Sequence, residues 1–304
     1  MKVAILLNSS MANPSLSAII SKHELVGIGV GKTGGENVGL LADSIDAAGA
    51  PIYTFERSSH ETEMSDWLRD SHAEVVLVYT FNFKIAQSCL AIPKYGFYNF
   101  HPGALPEERG SPLFWAIRNR QRSFALTIHK MTEHLDCGPI YEREHCRLDD
   151  STTFGEALEH LGTISRKFTI RLLYELEKRK GHLRLSDQNA AMARFYRNPK
   201  RADIVVDWRR QTAEQVQALT NACNPFCEGA IAIIDGRETR ILEASPIMLE
   251  QSIQGKASGV PLPQVEGDLC IVCLDNTVLR IDVLCDSGGY YSGRKWLSHR
   301  YRRE

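Results

Sequence analysis

The sequence contains no long hydrophobic run. After Met1 the apolar segment 3–7 is too short for a signal peptide or a membrane span, and no later stretch among the 304 residues reaches membrane length. The sequence also has almost no net charge, with a formal value of −1. No charge excess is therefore present to attract nucleic acid or an anionic membrane surface. We expect a cytoplasmic protein with neither partner, and the sequence leaves its oligomeric state open.

Clustered metal-ligating cysteines are missing too. The eight cysteines are scattered along a long chain, which favours reduced thiols. Two close pairs, Cys223 with Cys227 and Cys270 with Cys273, invite a zinc interpretation. The second pair lies in an apolar strand pattern, where residues three apart point to opposite faces and cannot easily share an ion. We expect buried thiols and no metal.

A phosphate-binding loop is absent despite the glycine-rich segment 27–35. Counting back from Gly31-Lys32-Thr33 puts Val26 where a P-loop requires its first glycine. The segment does not match the Rossmann dinucleotide-binding motif either. Lys32 or its neighbour occupies the position of the third glycine, and the segment follows the second predicted strand instead of the first. The pattern favours a loop after a strand.

The first half of the chain alternates short apolar runs with helix-like stretches. Continuous β-branched strands separated by helices indicate an α/β fold, Rossmann-like, with a mostly parallel sheet covered on both faces. Helices are expected at 37–49, 61–70 and 151–180, the last with a capping box of Thr153 and Glu156. The predicted strands are 2–7, 23–30, 51–55, 73–80, 96–100, 124–131 and 139–148.

The second half is smaller and rich in strand patterns. Polarity rises around 181–203 without a sustained period, which is typical of a linker. We predict a catalytic domain at 1–182, a linker at 183–202 and an OB-like β-barrel domain at 203–304. Within that last domain the predictions are a helix at 212–223 and strands at 229–235, 239–247, 269–274 and 278–284.

Two polar side chains end the fifth predicted strand. Period-2 alternation puts Asn99 and His101 on one face, and Pro102-Gly103 then breaks the strand. Ligand sites gather outside the carboxyl ends of strands in such sheets, and an amide beside an imidazole can stabilise an oxyanion and transfer protons. Alone, the pair is better explained as a capping asparagine beside a solvated histidine. Asp136, ahead of a Gly-Pro turn, can orient a histidine and raise its pKa, which shifts the balance towards a site.

Together these residues resemble the folate-dependent formyltransferase family. That family carries Asn-x-His, then Leu-Pro and Gly, Trp-Ala-Ile, Thr-x-His and Asp-x-Gly-x-Ile in this order. The chain departs at Gly103, where many relatives have a serine whose hydrogen bond is lost here. The matching positions are Asn99, His101, Leu105-Pro106, Arg109-Gly110, Trp115-Ala116-Ile117, Thr127-Ile128-His129, Asp136, Gly138 and Ile140.

A second set of landmarks extends the resemblance past the linker. Asp207-Trp208, Asn224-Pro225 and Gly229-Ala230 resemble the C-terminal barrel domain of methionyl-tRNA and aminoarabinose formyltransferases. Glycinamide-ribotide formyltransferases lack that domain, which argues against their branch. The resemblance covers roughly residues 1 to 295 and implies the formyltransferase fold.

The resemblance implies transfer of a formyl group from N10-formyltetrahydrofolate, as co-substrate, to a primary amine without a metal. It gives Asn99 and His101 the stabilisation of the tetrahedral oxyanion, and it gives Asp136 the tuning of His101 and help in proton removal. The residues it places at the folate are Phe81, Phe83, Ile85, Leu105 and Gly138.

The acceptor amine is less constrained. Residues 203–304 carry 11 Lys and Arg against 14 Asp and Glu, and segment 31–39 lacks the basic density that would grip a tRNA acceptor stem. A small molecule is favoured, with an amino-sugar nucleotide first and an amino-acid or peptide-like secondary metabolite next. Methionyl-tRNA formylation, formyl-folate hydrolysis or CO release, and a catalytically idle folate-binding module stay open as alternatives.

Overall fold

The computed structural model describes residues 1–32, 49–248, 256–265 and 267–301. The predicted helix at 37–49 and most of segment 31–39 lie outside the described residues. The chain divides into two compact units, each made of several separate segments. The predicted domains are continuous ranges, and their boundaries stay a prediction. The first unit comprises Met1–Pro112, Phe124–Cys146 and Leu158–Tyr196, and the second comprises Leu113–Ser123, Arg147–Ala157 and Arg197–Glu304.

A seven-stranded sheet with the order β3-β2-β1-β4-β5-β7-β8 forms the centre of the first unit. The neighbours from β3 through β5 are parallel, which confirms the predicted α/β class with a mostly parallel sheet. β7 instead runs antiparallel to β5. The strands are β1 (Lys2–Leu7), β2 (Glu24–Gly31), β3 (Ile52–Phe55), β4 (Val75–Tyr79), β5 (Phe97–His101), β6 (Arg109–Gly110, outside this sheet), β7 (Ser123–Lys130) and β8 (Ile140–Arg147).

The glycines of segment 27–31 belong to β2, which confirms the strand predicted at 23–30 and extends it by one residue to Gly31. They are required by packing, because a Cβ on Gly27 would lie 2.9 Å from the Trp67 indole nitrogen. A Cβ on Gly29 would lie 2.6 Å from the Phe55 ring. Aromatic rings therefore fill the space above this strand, where a phosphate loop would have needed an open backbone.

The longest helix follows its sequence signals closely. Thr153 N–H donates to Glu156 Oε2 at 2.8 Å, and Glu156 N–H donates to Thr153 Oγ1 at 3.2 Å, which confirms the predicted capping box. Three short helices were not predicted, since eight or fewer residues give little periodicity. The helices up to this point are α1 (Asn13–Ile20), α2 (His60–Ser71), α3 (Gln87–Leu90), α4 (Pro112–Arg118) and α5 (Phe154–Lys178).

A chain of buried hydroxyl groups joins β4, α5 and α1. Tyr79 Oη lies 2.8 Å from Thr169 Oγ1, which donates to Ser15 Oγ at 3.2 Å. Ser15 Oγ lies 3.2 Å from Ser165 Oγ, and Ser165 donates onward to the Met11 carbonyl at 3.1 Å. Each hydroxyl has one hydrogen, so a single direction from Tyr79 to Met11 satisfies the whole chain.

The second unit is built on a six-stranded antiparallel sheet. Its path β10-β11-β14-β13-β12, with β15 on β14, curls into a half-barrel, so the predicted β-rich domain is confirmed as a curled sheet. Asp235 and Gly236 form a tight hairpin turn in which both have positive φ, +51° and +73°. Its elements are α6 (Ala213–Cys223), β10 (Ala230–Ile234), β11 (Arg237–Ile247), β12 (Pro261–Val265), β13 (Asp268–Val272), β14 (Val278–Asp286), β15 (Gly289–Ser292) and α7 (Gly293–Tyr301).

The cysteine pair formed by Cys270 in β13 and Cys273 just after that strand is buried as expected. Cys270 and Cys273 are at most 1% exposed, and burial raises the pKa of Cys270 to about 11 and that of Cys273 to about 12. Across the part of the chain that the structure describes, no helix combines the length and apolarity needed to cross a membrane.

The segment predicted as a linker carries regular structure. β9 (Phe195–Tyr196) pairs in parallel with β6, and a short 3₁₀ helix spans Ala190–Met192. Sequence periodicity could not indicate either, because two or three residues contain no period. This part of the chain lies in the first compact unit.

Replacing Thr169 by valine should interrupt the buried hydroxyl chain. The isosteric side chain leaves Tyr79 Oη without its acceptor, and we expect the free energy of unfolding to fall by about 1–3 kcal/mol. Urea denaturation measures this, with Thr163→Val on the exposed side of the same helix as the matched control. Equal stability of the two variants would show that the buried chain contributes nothing.

Candidate active site

The end of β5 brings the predicted Asn99 and His101 to the edge of the sheet. Tyr98 and Phe100 are no more than 1% exposed, and Phe100 stacks on Tyr79 at 4.4 Å between ring centroids. His101 is 2% exposed and Asn99 is half-buried. Strong packing of the alternate side chains therefore fixes the strand that presents the polar pair.

Both ring nitrogens of His101 face a protein group. Nε2 lies 2.5 Å from the Glu108 carbonyl oxygen, and Nδ1 lies 3.7 Å from Asp136 Oδ1. A carbonyl only accepts hydrogen bonds, so Nε2 carries a hydrogen and Nδ1 faces the carboxylate. Burial lowers the pKa of His101 below its ordinary value of 6.5, although Asp136 and the Glu108 carbonyl act to raise it.

Gly103 makes the contact between His101 and Glu108 possible. A Cβ at this position would lie 2.8 Å from both His101 Nε2 and the Glu108 carbonyl oxygen, and 2.5 Å from the Pro112 ring. The Gly103 carbonyl also accepts the Thr127 hydroxyl at 2.6 Å. The glycine that departs from the expected serine therefore packs directly against the imidazole.

Asp136 is a buried carboxylate on a strained turn. Its φ is +53°, a left-handed conformation that aspartate tolerates better than most residues. Oδ2 accepts the Gly110 amide at 2.9 Å, while Oδ1 lies 3.7 Å from both His101 Nδ1 and His129 Nε2. Burial alone would raise its pKa, but His101, His129 and the Gly110 amide outweigh burial and lower the pKa to about 2. The carboxylate is therefore ionised at neutral pH.

His129 joins the site although no role was predicted for it. Antiparallel pairing sets His129 opposite Asn99 and Thr127 opposite His101, so these residues share a face. His129 Nδ1 lies 3.2 Å from the Lys130 carbonyl, and its Nε2 lies 3.2 Å from Asn99 Nδ2. With the hydrogen on Nδ1, Nε2 accepts from the Asn99 amide. The period-2 pattern of 124–131 indicated that Thr127 and His129 share a face. Only the antiparallel pairing of β7 with β5 showed that this face is the one that carries Asn99 and His101.

The aromatic residues expected at the folate form one cluster. Phe81 and Phe83 meet edge to face at 5.4 Å, and Gly31 lies against both rings. Phe83 is 7% and Ile85 4% exposed, whereas Phe81 is half-buried. Their contact with folate stays a prediction.

Leu105 and Gly138 lie closer to the polar cluster and contribute main-chain atoms. Leu105 is completely buried, and its amide donates to Thr127 Oγ1 at 3.2 Å. A Cβ on Gly138 would overlap the Lys130 carbonyl oxygen at 1.7 Å. Neither residue presents a side chain to a ligand, so any contact of theirs with folate would involve backbone groups.

Comparison with known proteins gives the family. The sequence profile described as "Formyl transferase" matches residues 18–172, and "Formyl transferase, C-terminal domain" matches residues 199–300. The chain belongs to the folate-dependent formyltransferase family.

Individual relatives vary in how much of the chain they cover. The chain is 30% identical to methionyl-tRNA formyltransferase of Thermotoga neapolitana over 62% of its own length and 60% of that protein. It is 26% identical to methionyl-tRNA formyltransferase of Methylobacillus flagellatus over 95% of the chain and 93% of the relative. The N-formyltransferase from Helicobacter canadensis, solved with folinic acid and dTDP-3-aminofucose, has the same fold with a TM-score of 0.63, at 12% identity over 96% of this chain and all of that one.

The buried neutral imidazole of His101 predicts a pH dependence. Its folded pKa is lowered, so the unfolded chain binds more protons below the ordinary value of 6.5. The associated stability is complete above that pH and is lost as the pH falls, by at most about 1.4 kcal/mol per pH unit. We expect His101→Gln to lose less unfolding free energy than wild type between about pH 7 and 5.

Chemical denaturation across this pH range measures the slope. The control is His134→Gln, since the His134 side chain is 73% exposed. A slope in His101→Gln equal to that of wild type would contradict a lowered pKa for His101.

Proposed function

We propose that this protein transfers a formyl group from N10-formyltetrahydrofolate to the primary amine of a small molecule, with an amino-sugar nucleotide as the leading acceptor. The observation that carries the proposal is the convergence of Asn99, His101 and the ionised Asp136 at the carboxyl end of β5. Family membership supports the reaction class, and the folinic acid bound by the Helicobacter canadensis enzyme supports a folate co-substrate.

In the proposed reaction the amine nitrogen attacks the formyl carbon and forms a tetrahedral oxyanion. An amide nitrogen has two hydrogens, so Asn99 can bind His129 with one and the oxyanion with the other. His101 becomes a second donor when its Nε2 hydrogen turns from the Glu108 carbonyl to the oxyanion, and such donors typically contribute about 2.7–4 kcal/mol each. Loss of these interactions would raise the barrier to attack.

The proton balance assigns work to Asp136 and His101. The attacking amine loses one proton, and N10 of the folate gains one as the C–N10 bond breaks, leaving formamide product and tetrahydrofolate. If His101 accepts the proton from the amine, its ring becomes a positively charged imidazolium. The Asp136 carboxylate, 3.7 Å from His101 Nδ1, stabilises that charge. No metal is needed for any step.

The acceptor proposal rests on charge and on the dTDP-3-aminofucose in the Helicobacter canadensis structure. Residues 203–304 have a net charge of −3, with 11 basic and 14 acidic residues, which is unfavourable for a phosphate backbone. The second candidate is methionyl-tRNA, favoured by the full-length match to the Methylobacillus flagellatus protein.

Three acceptor experiments separate these functions. Protein and 10-formyltetrahydrofolate are incubated with dTDP-3-aminofucose, with labelled methionyl-tRNA, or with an amine-containing metabolite extract that is searched for products heavier by CO. We expect a formylated small molecule and no labelled formyl-methionyl-tRNA. Tetrahydrofolate released at full rate without any amine would identify a hydrolase instead, and absence of folate binding would indicate an idle module.

Substitution of the three polar residues tests the site. Asn99→Ala, His101→Ala and Asp136→Asn should each lower turnover at least about a hundredfold, because each removes an oxyanion donor or the proton path. Circular dichroism checks folding, and His134→Ala in the exposed loop before Asp136 serves as the control. Near-normal turnover in any two of the three variants would refute the assignment.

A further inference from the structure

Residues 186–196, which we call the strap, contact the loop that carries Asp136. Ser186 and Ile140 exchange two backbone hydrogen bonds, both 2.8 Å. Gln188 Nε2 then donates to the Asp136 carbonyl at 2.9 Å and to the Gly138 carbonyl at 2.7 Å. One side chain thus holds both sides of the turn that places the carboxylate.

The other end of the strap holds β6. The Arg109 amide donates to the Arg194 carbonyl at 2.9 Å, and the Ser111 amide donates to the Tyr196 carbonyl at 2.7 Å. A Cβ on Gly110 would lie 2.2 Å from the Tyr196 carbonyl, so the two backbones approach as closely as glycine permits.

Segment 108–110 connects this pairing to the polar cluster. The Glu108 carbonyl accepts from His101, and the Gly110 amide donates to Asp136. Between them, Arg109 Nη2 donates to Gln188 Oε1 at 2.9 Å. Gln188 therefore uses both its amide hydrogens and its oxygen to join the Asp136 turn to β6.

The Asp136 turn needs such a restraint. A non-glycine residue with φ of +53° is in a sparsely populated conformation, which persists when surrounding contacts fix it. Loss of the two hydrogen bonds to the Asp136 and Gly138 carbonyls would let the turn relax. The distance between the Asp136 carboxylate and His101 would then change.

We propose that Gln188 is a positioning residue, through which the strap sets the distance between Asp136 and His101. Gln188 touches neither proposed reacting group with its own side chain and acts through the backbone of the turn. Only the effect on turnover rests on the proposed function; the effect on the turn does not.

Hydrogen exchange tests the structural part on the free protein. In Gln188→Ala we expect the Gly110 and Ile140 amides to exchange about tenfold faster or more, since all three hydrogen bonds of the Gln188 side chain are lost, two of them to the turn. Gln188→Glu should behave alike, because an ionised carboxylate can accept from Arg109 but cannot donate to the carbonyls. Asp187→Asn, on the exposed neighbour in the strap, should match wild type.

Steady-state kinetics test the functional part. With 10-formyltetrahydrofolate and whichever of dTDP-3-aminofucose or methionyl-tRNA the wild type formylates, kcat of Gln188→Ala and Gln188→Glu should fall at least about tenfold. KM for 10-formyltetrahydrofolate should change less than kcat, because Gly138 is the only residue expected at the folate that lies on the turn. A variant that was only less stable would keep its kcat per folded molecule.

The two measurements separate the possible failures. Wild-type exchange and kcat in Gln188→Glu would overturn the positioning role, even with the proposed reaction intact. Fast exchange in a protein that turns over no formyl-folate would uphold the positioning role and reject the proposed function. Fast exchange with unchanged kcat would show that the strap contributes only to the stability of the turn, and this result would also overturn the proposal.

Discussion

The site depends on keeping one charged carboxylate inside the protein. The Asp136 side chain is 5% exposed, and burial of an ion is unfavourable unless partners replace its water. The Gly110 amide donates to it and two histidine rings lie 3.7 Å away, and these three groups come from separate parts of the chain. Every local feature around them serves this purpose: the left-handed turn, the missing side chain at Gly103 and the close pairing of β6 with β9.

The direction of one strand determines which residues meet. Because β7 runs antiparallel to β5, Thr127 and His129 lie opposite His101 and Asn99 on one face. Thr127 supports the backbone of Gly103 and Leu105, and His129 contacts Asn99. The polar face is thus a cluster of interdependent groups, in which each hydrogen bond fixes the tautomer or orientation of the next.

Most of the first sheet could be predicted from the sequence. Continuous apolar runs become buried strands for a general reason, since such runs must be covered on both faces. The capping box of α5 is equally local, as Thr153 and Glu156 lie within one helical turn. The short helices, β6 and β9 were missed because their stability comes from distant contacts rather than from their own pattern.

By itself, the sequence determined the α/β class, the buried strands, the turn residues and the family to which the chain belongs, since these follow from local periodicity and an ordered set of motifs. Only the tertiary structure decided that His129 lies beside Asn99 and that Gln188, in a polar segment without periodicity, holds the Asp136 turn. The physical reason is that a hydrogen bond between residues 52 positions apart leaves no periodic trace in the sequence. It exists only once the sheet has brought its partners together.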